Sequence, residues 1–542
     1  MAGQVKAENG GGGIEAGVPI ALQQARPEDG AGGRRLLYAG VLFLSSAGGL
    51  ILEIVAGRMI APYVGMSLYT WTAVIAVVLA GFSVGHWIGG RLATRDDRAA
   101  RWQLAWLLGL AAVTTAACLP LIRLVSPLVL SAGLHPITAI VLLTSALFLL
   151  PSLFVGTLSP ILTKLAVDAL PRAPGQAIGQ MFAVGAVGSI AGTLAAGYVM
   201  ISWIGSVGSV LAVAAAYLVM ALGFGCAARP AARQAWGAGA VLALALAVAL
   251  GGGARTQAFT SPCLVESDYY CIRVVDLTAE IGRPAAAMVL DHLGHGINDR
   301  EDPLRLHSSY LALTDRLLTL RLGPPEDFTA FFIGGGANTL PRAWAARYPR
   351  ARLLVSEIDP AVTGVARAAM WDRPSDIVEI IHQDARIALR ALPPGQAFDV
   401  IVGDAFHDIS VPQHLTTLEF ARLLESRLAP AGFYAFNVID GARRPLFLLA
   451  SLRTLREVFP QVEVWVDEGL WAGGGRATYL VVASRVATQR DRLAAAAPEG
   501  PRRRRWPEAE LTRQIAETGV PLLTDDFAPV DRLMLPVLAE DP

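Results

Sequence analysis

Charge is scarce in this sequence. Asp, Glu, Lys and Arg supply only 17% of its 542 residues, and 45 basic side chains balance 45 acidic ones to a formal net charge of +0. With no global field of one sign to draw it to nucleic acid, no such partner is expected. The densest run of like charge, Arg502 to Arg505, reads as a solvated surface patch. Cysteine is scarce too, at four. Cys118 and Cys226 lie in apolar stretches and read as small buried hydrophobes. Cys263 and Cys271 flank a β-turn without metal-ligand spacing to histidine, which argues against zinc. His292, His295, His307, His382, His407 and His414 are dispersed, and no metal is expected.

What the chain has in abundance is apolar surface. A mean hydropathy of +0.47 is too high for an ordinary soluble protein, and the excess falls before about residue 255. Residues 1–33 are rich in Gly, Ala and polar side chains and read as a disordered tail. Residues 34–255 read as a transmembrane helical domain in a lipid bilayer. Its apolar runs lie near 36–56, 68–90, 103–125, 137–158, 180–201, 205–227 and 236–253. A hydrocarbon core of about 30 Å takes about 20 such residues, which predicts about seven spans. Gly81, Gly85 and Gly89, and again Gly188 and Gly192, recur every fourth residue, the spacing that lets helix backbones approach closely in lipid. Glu53 and His86 are the ionisable residues inside the first two spans, and a transport role stays open on their account. Basic residues cluster in alternate loops: Arg26, Arg34 and Arg35; Arg91, Arg95, Arg98 and Arg101; Lys164 and Arg172; Arg229 and Arg233. The other loops hold little beyond Arg58 and Arg123, so the N-terminus is expected in the cytoplasm. Seven spans would carry the remainder of the chain to the other side, where Cys263 and Cys271 could oxidise. That position conflicts with a nucleotide cofactor made in the cytosol, and the side stays open.

From residue 262 the pattern becomes α/β. Short strands over 263–276 and 286–291 suggest a small β-subdomain within 262–300, and a helix is expected over 304–321. Residues 301–490 read as a doubly wound Rossmann-like domain, with 491–542 as a C-terminal extension. The organising stretch is 328–359. A buried strand, Ala330 to Ile333, runs into Gly334, Gly335 and Gly336; a helix over Thr339 to Arg347 follows, then a strand, Leu353 to Ser356, ending on Glu357. An acid about twenty residues past a glycine turn is placed to accept both ribose hydroxyls, which points to nucleotide binding. Further strands are expected at 377–381, 398–403, 432–438, 462–466 and 477–482. Ligands in such sheets sit beyond the carboxyl ends of the strands, where Glu357, Asp384 and Asp404 fall.

These motifs together resemble the spermidine synthase (polyamine aminopropyltransferase) family in its membrane-fused bacterial form. The likeness covers most of 262–482 through ESDYYCIRV at 266–274, LDHLGHG at 290–296, IGGGANT at 333–339 and SEIDPAV at 356–362. It continues in HQDAR at 382–386 and GDAFHDISVPQHLTTLEF at 403–420. The closing LTDDFAPVDRL at 523–533, the span from Leu36 to Arg91 and PSLFVGTLSPILTKL at 151–165 resemble the membrane-fused members. The resemblance implies a class I methyltransferase-like fold, a bacterial inner-membrane location and transfer of an aminopropyl group from decarboxylated S-adenosylmethionine to a diamine such as putrescine. It implies donor binding by Gly334, Gly335, Gly336, Glu357, Asp384, Ala385 and Tyr270, with Glu357 on the ribose and Asp384 on the adenine amine. Asp404 would be the base, Asp408 a second acid, and His295 and Tyr310 substrate contacts. Family members are commonly dimers or tetramers, so a homo-oligomer is possible.

The sequence also departs from the family pattern. Ala337, followed by Asn338 and Thr339, stands where GGGDGG has the aspartate that meets the donor's transferable amine. Tyr270 replaces a glutamine, LDHLGH replaces LDG..Q, and VDEGLWAGGG at 466–475 lacks the Pro-Thr-Tyr-Pro element. Losing a carboxylate that faces a cationic tail removes a partner for it, and removes repulsion against the carboxylate of intact S-adenosylmethionine. Methyl transfer therefore stands as an alternative, beside a non-catalytic nucleotide-binding domain on a transporter or sensor.

Overall fold

The computed structural model describes residues 31–93, 96–228, 247–248, 251–323, 325–406, 410–468, 475–493 and 502–539. Its first half is a helical bundle: α1 (Ala31–Val64), α2 (Leu68–Leu92), α3 (Asp97–Leu130), α4 (Pro136–Asp168), α5 (Pro174–Ala195) and α6 (Ile201–Ala228). Among the described residues, five helical stretches are long and apolar enough to cross a membrane, the last being Pro174–Ala228. That last stretch has two arms, because Gly205 takes φ 68° and ψ 177°, outside any helix. The arms double back on one another. Gln180, near the start of α5, accepts from Arg35, and Phe224, near the end of α6, stacks on Tyr38, so both arms have an end beside the start of α1. The expected seventh run, 236–253, lies largely outside the described residues.

The glycine spacing sets the tightest helix contacts. Gly81, Gly85 and Gly89 are buried on α2 facing α4, where a Cβ at Gly85 would run into the backbone of Leu153 and Gly156. Gly188 and Gly192 meet the backbone of Phe43 and Ala47 on α1 in the same way. Close backbone approach of this kind brings the helices into direct van der Waals contact along their lengths. Cys118 is buried as expected, but Cys226 is exposed. It sits one turn after Leu222 on the outward face of α6, where Leu222 and Val219 are also exposed.

The bundle has two unlike ends. Arg34, Arg35, Arg98 and Arg101 lie where α1 and α3 begin, and Arg91 and Lys164 where α2 and α4 finish. The other end carries the α/β half. There Arg58 donates to the carbonyls of Ser267 (2.6 Å) and Tyr269 (2.5 Å), and the Ser206 amide donates to Glu266 Oε2 (2.8 Å). Arg123 reaches the carbonyl of Thr260 at 3.2 Å.

The α/β half opens with a four-stranded antiparallel sheet, β1 (Val265–Glu266), β2 (Cys271–Asp276), β3 (Ala285–Leu290) and β4 (Leu293–Asp299). A Cys263–Cys271 disulfide ties its first loop to β2. The fourth strand was not among those expected. Its sequence, LGHGIND, has few strand-forming residues, and pairing with β3 imposes the extended form. A long helix, α7 (Ser309–Leu322), leads into the main sheet. Its strands are β5 (Thr329–Ile333), β6 (Arg352–Ser356), β7 (Val378–Ile381), β8 (Phe398–Gly403), β9 (Leu428–Gly441), β10 (Gln461–Asp467), β11 (Arg476–Ser484), β12 (Arg492–Leu493) and β13 (Arg503–Arg505). The order is β12-β13-β10-β11-β9-β8-β5-β6-β7. β5 through β9 pair in parallel, whereas β10 to β13 join antiparallel.

Helices cover both faces, as burial of parallel strands requires, and α9 (Pro360–Ala369) connects β6 to β7. On one side α8 (Thr339–Arg347) and α7 pack Trp344, Leu317 and Leu318 against Phe332, Val400 and Val402. On the other, α10 (Ala385–Ala391), α11 (Leu418–Ser426) and α12 (Leu446–Arg456) meet Phe331, Ile401 and Phe436.

The arginine run is not a solvated patch. Arg503 is only 9% exposed, and Arg505 meets Glu463 (3.4 Å) and Asp491. Pairing of β13 with β10 turns these side chains over the sheet, where acids neutralise them. The closing LTDDF motif is likewise structural. Asp525 takes a two-pronged contact from Arg386 of HQDAR at 2.7 and 2.6 Å. That guanidinium holds the Asp525 carboxyl down at about 2, so its stabilisation is present above the ordinary carboxylate range and is lost as pH falls through about 2. Asp525→Asn leaves the buried Arg386 without its charge partner. Asp525 is itself partly exposed, so a loss of about 2 kcal/mol is expected in denaturant unfolding at pH 7, shrinking toward zero near pH 2.

Candidate active site

Strand ends converge on one crevice. β5 lies between β6 and β8, so the chain leaves it toward opposite edges of the sheet and a gap opens past its carboxyl end. Gly334 follows β5 with φ 92°, and a Cβ there would come 2.8 Å from the carbonyl of Asp404. Only glycine lets the two strand exits run this close.

Glu357 ends β6 and is bound from beneath. Gly335 and Gly336 amides donate to its Oε2 at 2.9 and 3.0 Å, and the Asp359 amide donates to Oε1 at 3.0 Å. Burial pushes its carboxyl up, and these three amides pull it back. A carboxylate offers about four acceptor sites. With three amides bound, about one acceptor site on the carboxylate is left for a further donor. Asp384 caps α10 through the Ile387 amide (3.0 Å) and meets His414 Nε2 at 2.7 Å. Burial alone would raise its carboxyl, but His414 and the cap bring it below the usual range.

Asp404 follows β8. Tyr310 Oη donates to its Oδ2 at 2.6 Å and Asn437 Nδ2 to its Oδ1 at 2.9 Å. Burial pushes this carboxyl up to about 6 against the pull of both hydrogen bonds. A carboxylate with its pKa near the working pH is suited to take a proton from a substrate. His295 has a buried Nε2 with no partner among the described residues, and burial lowers the ring to about 4, so it is neutral at pH 7.

These groups face one cavity of about 560 Å³. Gly334, Gly335, Gly336, Glu357, Asp384, Ala385, Tyr270, His295 and Asp404 all line it, while Tyr310 touches it only through Asp404. Tyr270 also donates to the carbonyl of Phe406 at 3.1 Å. Asp408 and His407 lie outside the described residues, as do 469–474 of the VDEGLWAGGG element. Ala337 is 1% exposed and packs with Tyr270, Val362 and Met370, away from the cavity. Its methyl group thus neither holds nor repels the tail of a donor. Among the described residues no group of three or more His, Cys, Asp or Glu is arranged to hold a metal ion.

Several lining residues were not expected from sequence. His414 was read with the other dispersed histidines as a surface or substrate contact, and Asn437, which meets the site through Asp404, could have been suspected as a polar break in the apolar strand FYAFNVID. Asp531, the α2 cap Ser67 and the first-turn residues Leu68 and Trp71 of α2 gave no such signal.

No protein-family model matches the chain. A polyamine aminopropyltransferase of Vibrio vulnificus is 28% identical over 231 residues, which is 42% of this chain and 76% of that protein. A "probable polyamine aminopropyl transferase" of Bifidobacterium longum is 31% identical over 110 residues, 20% of this chain and 24% of that protein. Among solved structures, a "probable spermidine synthase" from Corynebacterium glutamicum is 21% identical with a TM-score of 0.42, covering 50% of this chain and 99% of that one. Over these stretches the chain is similar in sequence to polyamine aminopropyltransferases, and that likeness stands beside the glycine turn and the three acid-ended strands.

Proposed function

We propose that the cavity binds decarboxylated S-adenosylmethionine and that its aminopropyl group passes to a diamine such as putrescine, with Asp404 as base. The charge of the cavity carries this reading. Glu357, Asp384, Asp404 and Asp531 line it, and among the described residues no Lys or Arg does. A sulfonium with a cationic tail suits such a wall. The free carboxylate of intact S-adenosylmethionine would meet no cationic partner, and an unpaired charge in a partly buried site costs several kcal/mol. Methyl transfer is the weaker reading for that reason.

Asp404 has two tasks. It attracts the protonated amine and accepts the proton that must leave before nitrogen can attack. Tyr310 and Asn437 hold both its oxygens, fixing the direction in which the proton is taken. The nitrogen then bonds to the aminopropyl carbon next to sulfur, the carbon–sulfur bond breaks with its electron pair returning to sulfur, and methylthioadenosine leaves. Gly334 to Gly336 and Glu357 hold the adenosyl part still during this displacement.

The purified full-length protein, given decarboxylated S-adenosylmethionine and putrescine, is expected to release methylthioadenosine. Calorimetry is expected to favour the decarboxylated donor over the intact one by about tenfold or more. Silence across several amines, or preference for the intact donor, refutes the reading.

The reading extends to location. Five long apolar stretches support membrane residence. Basic side chains gathered at the end away from the α/β half support, by the positive-inside rule, an α/β half on the non-cytoplasmic face. The Cys263–Cys271 disulfide fits an oxidising compartment. Supply of the adenosyl donor on that face is then a requirement.

A further inference from the structure

We infer that the acceptor end of the cavity is built jointly by the helical and α/β halves, and that Asp531 holds the second ammonium of a dicationic acceptor there. This assignment rests on the aminopropyl-transfer reading and adds to it a residue that selects the acceptor.

The four carboxylates of the cavity differ in what they already do. Glu357 is held by three backbone amides, Asp384 by His414 and a helix cap, and Asp404 by Tyr310 and Asn437. Asp531 arrives from elsewhere. It sits on the short helix Val530–Leu533 in the C-terminal motif whose Asp525 is engaged by Arg386. The same cavity also takes Ser67, Leu68 and Trp71 from the other half of the chain. Asp531 and the adjoining Arg532 are both within electrostatic reach of Tyr69, in the first turn of α2. The adjoining Arg532 guanidinium lies over the Phe527 ring at 5.8 Å, a contact outside the cavity lining.

This wall has the composition that a diamine needs. The attacking nitrogen must lose its charge beside Asp404, but the far nitrogen stays protonated and requires a carboxylate of its own. The methylenes between them require apolar surface, which Leu68 and Trp71 provide. Trp71 is steadied for that role: it packs on the bare backbone of Gly57 in α1, where a Cβ would come 3.1 Å from the ring. Its indole can also face a cation favourably. Arg58, one residue on, ties α1 to the Ser267 and Tyr269 carbonyls at the cavity rim, which keeps the two halves in register.

The test is calorimetric binding of 1,4-diaminobutane and of 1-aminobutane to the full-length protein in detergent, with methylthioadenosine present, run beside the transfer assay. The wild type is expected to bind the diamine about tenfold or more tightly than the monoamine. Asp531→Asn should remove most of that preference, and Asp531→Glu should restore part of it. Trp71→Ala should weaken discrimination between diamines of different chain length. Equal binding of the two amines by the wild type, or a preference that survives Asp531→Asn, overturns the inference. If the preference is present and depends on Asp531 while no methylthioadenosine is ever released, the inference stands and the transfer reading falls.

Discussion

Asp404→Asn is expected to slow aminopropyl transfer about a thousandfold and, in the same protein, to raise resistance to unfolding at neutral pH. The two effects share one cause. A carboxyl pushed from 3.8 to about 6 by burial binds more protons folded than unfolded between those values. Its contribution to stability therefore falls as pH climbs through that window, and above it the ionised form is a standing cost of about 3 kcal/mol. Asparagine keeps the size and loses the charge. Tyr310 can still donate to it, and Asn437, whose Oδ1 has no partner among the described residues, can turn to accept from the new amide. The wild-type pH–rate profile should rise through about 6. A variant that retains most of its turnover would remove Asp404 from the role of base, and one less stable than wild type at pH 8 would overturn the cost assigned to its burial.

The second large effect is one of sidedness. In intact cells, an impermeant protease added outside should cut the α/β half and leave a tag at the N-terminus untouched. Opening the membrane should reverse the second result. The geometry makes this an all-or-none outcome: the start of α1, at Arg35, and its end, at Arg58, stand at opposite ends of the bundle, and only Arg58 touches the α/β half. Protection of the α/β half from external protease, with its residues cut only after lysis, would place the site in the cytosol. The basic loops would then face the wrong way.

Much of the α/β core could be read in advance because local and global signals coincide there. Helix α8 spans the expected residues, β5 runs into the expected glycines, and β6, β7 and β8 lead to the expected acids, since an apolar run, a glycine turn and an amphipathic helix each specify the same local form. The reading failed where form depends on a distant partner. β4 is extended through its pairing with β3, and β13 is a strand despite three successive arginines, because β10 supplies both its hydrogen bonds and its acid. Ala337 looked like a vacancy in the donor pocket, yet the turn directs it into packing with Tyr270 and Met370. The amides of the glycine turn that hold Glu357 are a further contact no sequence pattern announces. Trp71 and Asp531 stand 460 positions apart in sequence, and no local pattern joins two such residues into one wall.

The wall contributed by the start of α2 bears on how this protein can change over generations. A fragment beginning after residue 251 would keep Glu357, Asp384 and Asp404 but lose Ser67, Leu68 and Trp71 from the cavity. An insertion at that point, tolerable in a mere anchor, would here be felt as a change in what the enzyme accepts. The two halves are therefore bound to a common history: neither can be exchanged for a foreign counterpart without refitting the other.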